Sequence, residues 1–204
     1  MRRTSRPERK RAFTLVELLI VMAIIIILAG VILATSSYVQ KKGARSRAEA
    51  EIAAMSAALE NYKADNGIYP RGKSTAVPPS GTPVYPVAAK GTDEIDARSD
   101  VDSTTQIYQD TSRYLYEQLS GDFDLNLSTD PGNKSYFAFK ESVLALIKDS
   151  SGKIVGLSHI KDPFGNSYGY STAYQGNSAK GYNPTFDLWS TANETDSTRW
   201  IKNW

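Results

Sequence analysis

The sequence predicts an α+β fold, one long N-terminal helix followed by a small antiparallel sheet. Three observations carry this. From Leu18 to Ala34 the chain runs seventeen residues without a charge. Ala48, Ile52, Met55, Leu59 and Tyr62 then recur at steps of four and three, which puts them on one face of a helix. Beyond residue 111, short β-branched and aromatic runs alternate with turn clusters of Gly, Pro, Asn and Asp.

The charge is unevenly placed. Met1 to Ala12 carries six basic residues and one acid, Glu8; taking these from the 24 basic and 22 acidic residues of the chain leaves 18 and 21. A basic head on a slightly acidic remainder argues against a nucleic-acid binder, whose positive charge belongs on the folded domain. It suits a cytoplasmic anchor. The chain has no cysteine, which removes disulfides and thiolate chemistry, and a single histidine, His159, with no evident base or metal partner.

Counted from Phe13 to Ala34, with Thr14 and Glu17 as the polar interruptions, the apolar stretch is 22 residues, enough to cross a bilayer as a helix. Six basic residues precede it and Lys41, Lys42, Arg45 and Arg47 follow, so the N-terminus is expected to stay in the cytoplasm. A secretory signal peptide is the competing reading. Its apolar core is shorter, however, and the sequence around Leu33-Ala34-Thr35-Ser36 makes a poor cleavage site. Glu17 decides between them. An acid beside a span costs about 1–3 kcal/mol and is a functional candidate, whereas a signal peptide has no use for one. The bland reading of Glu17 is a carboxylate snorkelling to the interface.

Arg11-Ala12-Phe13-Thr14-Leu15-Val16-Glu17-Leu18-Leu19 resembles the prepilin cleavage and methylation motif of type IV pilins and type II secretion pseudopilins. Ala12 stands where that family usually has Gly. The resemblance implies a pilin-like fold, removal of residues 1–12 by a membrane aspartyl peptidase that also methylates the new Phe13 amine, and a role for Glu17 in assembly. Within a filament, the Glu17 carboxylate would pair with the Phe13 ammonium of a neighbouring subunit. The proline often found some twenty residues into mature members is absent, and Gly30 is the expected centre of any local unwinding.

The organisation expected is a leader over 1–12, a transmembrane or filament-core helix over 13–35, its amphipathic continuation over 36–66, an irregular loop over 67–110 and an α+β head over 111–204. Asp65-Asn66-Gly67 and Pro70 supply the helix stop. Ile52 to Pro70 is similar to the end of the long helix in the major pseudopilin of type II secretion. Residues 71–110, rich in Pro, Gly, Ser and Asp, read as a long surface loop inserted relative to that family's head. A short helix is expected over Ser112–Leu119, capped by Thr111 or Ser112 and closed by Gly121. Strands are expected at Tyr136–Phe139, Val143–Ile147, Lys153–Leu157, Tyr168–Thr172 and Thr185–Ser190, the second of which is equally readable as a helix. All three tryptophans fall in the last sixteen residues, as expected of a docked aromatic C-terminus.

Asp162-Pro163-Phe164-Gly165-Asn166-Ser167-Tyr168 and Phe186-Asp187-Leu188-Trp189-Ser190 are also similar to stretches of the major pseudopilin. In that family the loop after the second stretch binds a structural calcium. The resemblance implies Leu188, Ser190, Glu194 and Asp196 as candidate ligands here, although Ala192 stands in place of the family's Gly. An ordinary polar turn is the alternative, and no cofactor is otherwise required. A second oxygen-rich run, Asp122 to Asp130, has alternate acids but Leu127 and Asn133 where a calcium loop needs Gly and Glu; a surface edge is the commoner reading.

The expected function is that of a pseudopilin: a non-enzymatic subunit in a bacterial inner membrane, single-pass, with a periplasmic head that joins a pseudopilus. Its partners would be copies of itself, minor pseudopilins, the prepilin peptidase and N-methyltransferase, an inner-membrane assembly platform and the lipid bilayer, with no nucleic acid. A type IV pilin for adhesion, motility or DNA uptake, and an extracytoplasmic binding domain on an unprocessed anchor, are the alternatives.

Overall fold

The computed structural model describes residues 14–74 and 89–204. Residues 1–12, Phe13 and the stretch 75–88 of the expected loop lie outside them. The chain divides into two compact units, Met1–Gly43 and Ala44–Trp204.

Helix α1 spans Leu15–Asn66, 52 residues. In the first unit Leu15 to Ile32 are all exposed, none of them buried within the protein. By length and composition that span is long and apolar enough to cross a membrane. The helix runs unbroken through Gly30, with no local unwinding there. One glycine costs a helix only about 1 kcal/mol, which its flanking Ile and Leu residues tolerate.

In the second unit α1 presents the predicted stripe. Ala48, Ile52, Met55 and Leu59 are buried, and Ala44 and Ala58 extend the face. Tyr62 is half-buried and donates its hydroxyl to Gln118 at 2.9 Å. Gly67, at φ +79°, ends the helix in the left-handed conformation and returns its N–H to the Lys63 carbonyl at 2.7 Å.

Helix α2 spans Gln106–Ser120, six residues earlier than the sequence suggests, with Thr105 as N-cap. The early start leaves no apolar stripe in the sequence because much of the buried face is polar: Asp110, Thr111, Ser112, Arg113 and Glu117 are all buried. Thr111 and Ser112 are therefore helix interior. The Ser112 hydroxyl accepts the Ile160 N–H at 3.0 Å. Gly121 closes the helix at φ +71°, as expected.

Two small antiparallel sheets follow. Strands β1 (Leu144–Lys148) and β2 (Ile154–Ile160) form one, Leu144 pairing with Ile160 and Leu146 with Leu157. The Asp149–Gly152 turn joins them, with Gly152 at φ +85°. Strands β3 (Gly169–Ser171), β4 (Asp187–Ser190) and β5 (Ile201–Lys202) form the other, in that order. Helix α3, Ala173–Gly176, is a single turn between β3 and β4. Tyr136–Phe139 is not a strand: the N–H groups of Tyr136 and Phe137 both go to the Leu119 carbonyl at the end of α2.

The main core joins the α1 stripe to Leu115, Leu119, Leu157, Ile160, Tyr170 and Leu188. A second core gathers Ile95 and Ala97 against Tyr108, Trp189 and Trp200. Residues 89–105 are thus not surface loop throughout; Thr92, Ile95 and Ala97 are fully buried. Trp189 packs so closely over Gly169, its β-sheet partner, that a Cβ there would lie 2.2 Å from the indole.

Candidate functional site

The start of α1 carries a reciprocal cap. Backbone N–H and hydroxyl of Thr14 donate to Glu17 Oε2 at 2.8 and 2.9 Å, and the Glu17 N–H returns to the Thr14 hydroxyl at 3.2 Å. Four N–H groups at any helix start lack partners, and a Thr-x-x-Glu box satisfies two of them. Glu17 also sits in the first turn, at the positive end of the helix dipole. The carboxylate is exposed, so an incoming cation can reach it. Ala12 and Phe13 lie outside the described residues. The cap is legible in the Thr14-Leu15-Val16-Glu17 spacing, and it gives the Glu17 carboxylate a partner besides the two expected for it, an amine of another subunit or the interface.

The four residues implied as calcium ligands are each engaged within the protein. Leu188 is buried in β4; its N–H donates to Asn203 Oδ1 at 2.9 Å and its carbonyl accepts the Asn203 N–H at 3.2 Å. Ser190 donates to the buried Asp162 at 2.5 Å. Glu194 lies 3.5 Å from Arg199 Nη1. Asp196 caps the following turn, accepting the N–H and hydroxyl of Thr198 at 2.9 and 2.7 Å, with Arg199 Nε at 4.0 Å. Arg199 therefore supplies positive charge between the two carboxylates, the part a cation would play. Ala192 takes the left-handed conformation at φ +52° that the family's Gly favours.

Among the described residues, Asp122, Asp124 and Asp130 bring their carboxylate oxygens within 4.8 Å of one another. Leu127 adopts φ +72°, so the backbone turns there without glycine. The carboxylates are met by donors: Asp122 accepts the Tyr116 hydroxyl and the N–H groups of Asn126 and Leu127, and Asp130 accepts that of Phe123. Burial holds the Asp122 carboxyl above its ordinary range.

His159 lies on β2 with Nδ1 2.9 Å from the Ser158 hydroxyl. Burial pushes its pKa down to about 4, with Lys161 and Arg113 adding to the shift. The C-terminal tryptophans dock as expected, Trp200 stacked on Trp189 and Trp204 on Tyr182.

An outward-facing apolar helix that opens on a Thr14–Glu17 cap, with its later turns built into an α+β head, defines a pilin-like protein with a prepilin-type N-terminal motif. The family model of the prokaryotic N-terminal methylation motif matches residues 8–33. The chain is 36% identical over 62 residues to the type II secretion system core protein G of Pectobacterium carotovorum subsp. carotovorum, a match that spans 30% of this chain and 40% of that protein. No solved structure matches the chain.

Proposed function

We propose that this chain is a pseudopilin, a structural subunit of a type II secretion pseudopilus. The observation that carries the reading is Glu17, capped by Thr14 and exposed at the head of a span otherwise apolar. A carboxylate so placed in hydrocarbon is costly unless it has a counter-charge. Hydrolysis of the Ala12–Phe13 peptide bond by the prepilin peptidase would create one, the Phe13 amine, one helical turn away along the sequence. Methylation keeps that amine cationic. In the membrane the Thr14 donors hold Glu17; in the filament the Phe13 ammonium of a neighbouring subunit takes over.

The 62-residue likeness to a secretion-system core protein favours pseudopilin over adhesive pilin. On this reading the protein sits in the inner membrane with its head in the periplasm, assembles with copies of itself and minor pseudopilins on an inner-membrane platform, and is a substrate of the peptidase rather than a catalyst.

Reconstitution tests it. The full chain, co-expressed with a prepilin peptidase and a type II assembly platform, is expected to sediment as shearable filaments. Membrane-bound monomer in place of filaments, with processing intact, would count against the reading.

A further inference from the structure

A groove of about 330 Å³ opens on the head between α1 and the segment after α2. Its walls are apolar: Ala50 and Ala54 of α1, and Phe137, Ala138 and Phe139. The wall is firm, because Phe137 and Phe139 meet edge to face at 4.7 Å and Phe137 is tied to the Leu119 carbonyl at 2.9 Å. Its rim is cationic. Arg47 and Lys140 are exposed, and among the described residues neither makes an ion pair. These two basic side chains outnumber the one acid among the lining residues, Glu51, which accepts the Tyr168 hydroxyl at 2.6 Å. The groove therefore suits an apolar residue flanked by negative charge.

The chain itself presents that chemistry. Val101 is 42% exposed, an uncommon apolar side chain on the head surface, and stands between Asp100 and Asp102. The tip is held in shape. Asp100 accepts the Asp96 N–H at 2.6 Å, and Asp102 accepts the N–H and hydroxyl of Thr104 at 2.9 and 2.6 Å. A preformed loop loses little freedom on docking.

We propose that the Arg47–Lys140 groove receives the Asp100-Val101-Asp102 tip of a second copy of this chain. This rests on the filament reading above and gives it a contact outside the membrane helix. Groove and tip are different surfaces, so the contact is head-to-tail: each subunit offers one of each, and growth is open-ended where successive rotations do not close a ring. The rim charges orient the approach and fix the register, and Val101 fills the apolar floor.

Because the chain has no cysteine, an introduced pair reports on this contact alone. In full-length chains assembled with their processing enzymes, mild oxidation of the Val101→Cys, Ala138→Cys double variant is expected to give a ladder of dimers, trimers and longer species. Each single variant should stay monomeric. Charge supplies a second reading: Lys140→Glu is expected to reduce sedimented filament about tenfold, and adding Asp102→Lys to restore most of it. Double-variant filaments that remain uncross-linked, or that close the disulfide within one chain, overturn the proposal while leaving the filament reading intact. Ala138→Cys dimers alone, its cross-linking to another protein, or its protection from maleimide by anionic phospholipid vesicles would each assign the groove a different occupant. Failure of the unaltered chain to sediment would remove the filament reading and this contact with it.

Discussion

Thr14 and Glu17 close a ring at the first turn of α1, the Thr14 N–H and hydroxyl both reaching one carboxylate oxygen within 2.9 Å. On the proposed reading, the cap matters because it gives the acid a partner before any neighbouring subunit arrives. It also fixes where the carboxylate points.

Glu17→Gln keeps the side chain's shape and its ability to accept from Thr14, and removes the charge. Membrane insertion should be unchanged, and sheared filament should fall at least tenfold, measured as the sedimented fraction; one lost ion-pair partner of about 1.4 kcal/mol suffices for that.

Thr14→Ala removes the hydroxyl and leaves the backbone N–H. Loss of an N-cap side chain costs about 1 kcal/mol, so filament yield should drop by less than for Glu17→Gln, and Thr14→Ser should restore it.

Leu59 is fully buried in the α1 stripe. Leu59→Ala should cost about 2–5 kcal/mol and lower the melting temperature of the detergent-solubilised chain by about 5–15 °C. Gly169→Ala should be comparably damaging, since its Cβ meets the Trp189 indole and that ring is locked between Tyr108 and Trp200.

His159 makes stability pH-dependent. Between its ordinary value of 6.5 and its folded value of about 4, the unfolded chain binds a proton that the folded chain does not. Its contribution is therefore full above about 6.5 and is lost as pH falls toward 4. His159→Gln should flatten that part of the melting curve. Asp162, whose carboxyl burial pushes up, titrates in the opposite sense and is common to both proteins.

Arg199 beside Glu194 and Asp196 leads to an expectation about calcium. Chelator should leave the melting temperature of the unaltered chain in place. In Arg199→Ala, with the guanidinium gone, added calcium should raise it.

The long helix was legible because hydropathy and a four-three stripe are local signals, and Gly67 is a local stop. Polar burial was not. Asp110, Arg113 and Glu117 look like a solvated face in sequence but lie inside, with Arg113 Nη2 2.9 Å from Asp110. Ile95 and Ala97 have no period around them; they are buried because Trp189 and Trp200, a hundred residues later, come to meet them. Tyr136–Phe139 has strand-like residues, yet its donors were claimed by the end of α2. At the candidate site, the Thr-x-x-Glu spacing was readable, whereas the Arg199 contact with Glu194 and Asp196 depends on a turn that only the folded chain displays.

Intact-mass and N-terminal peptide mass spectrometry of the chain recovered from its native membrane addresses the central claim most directly. The account predicts a mature protein that begins at Phe13 with its amine methylated. A chain still beginning at Met1, or one cut near Ala34, would contradict it.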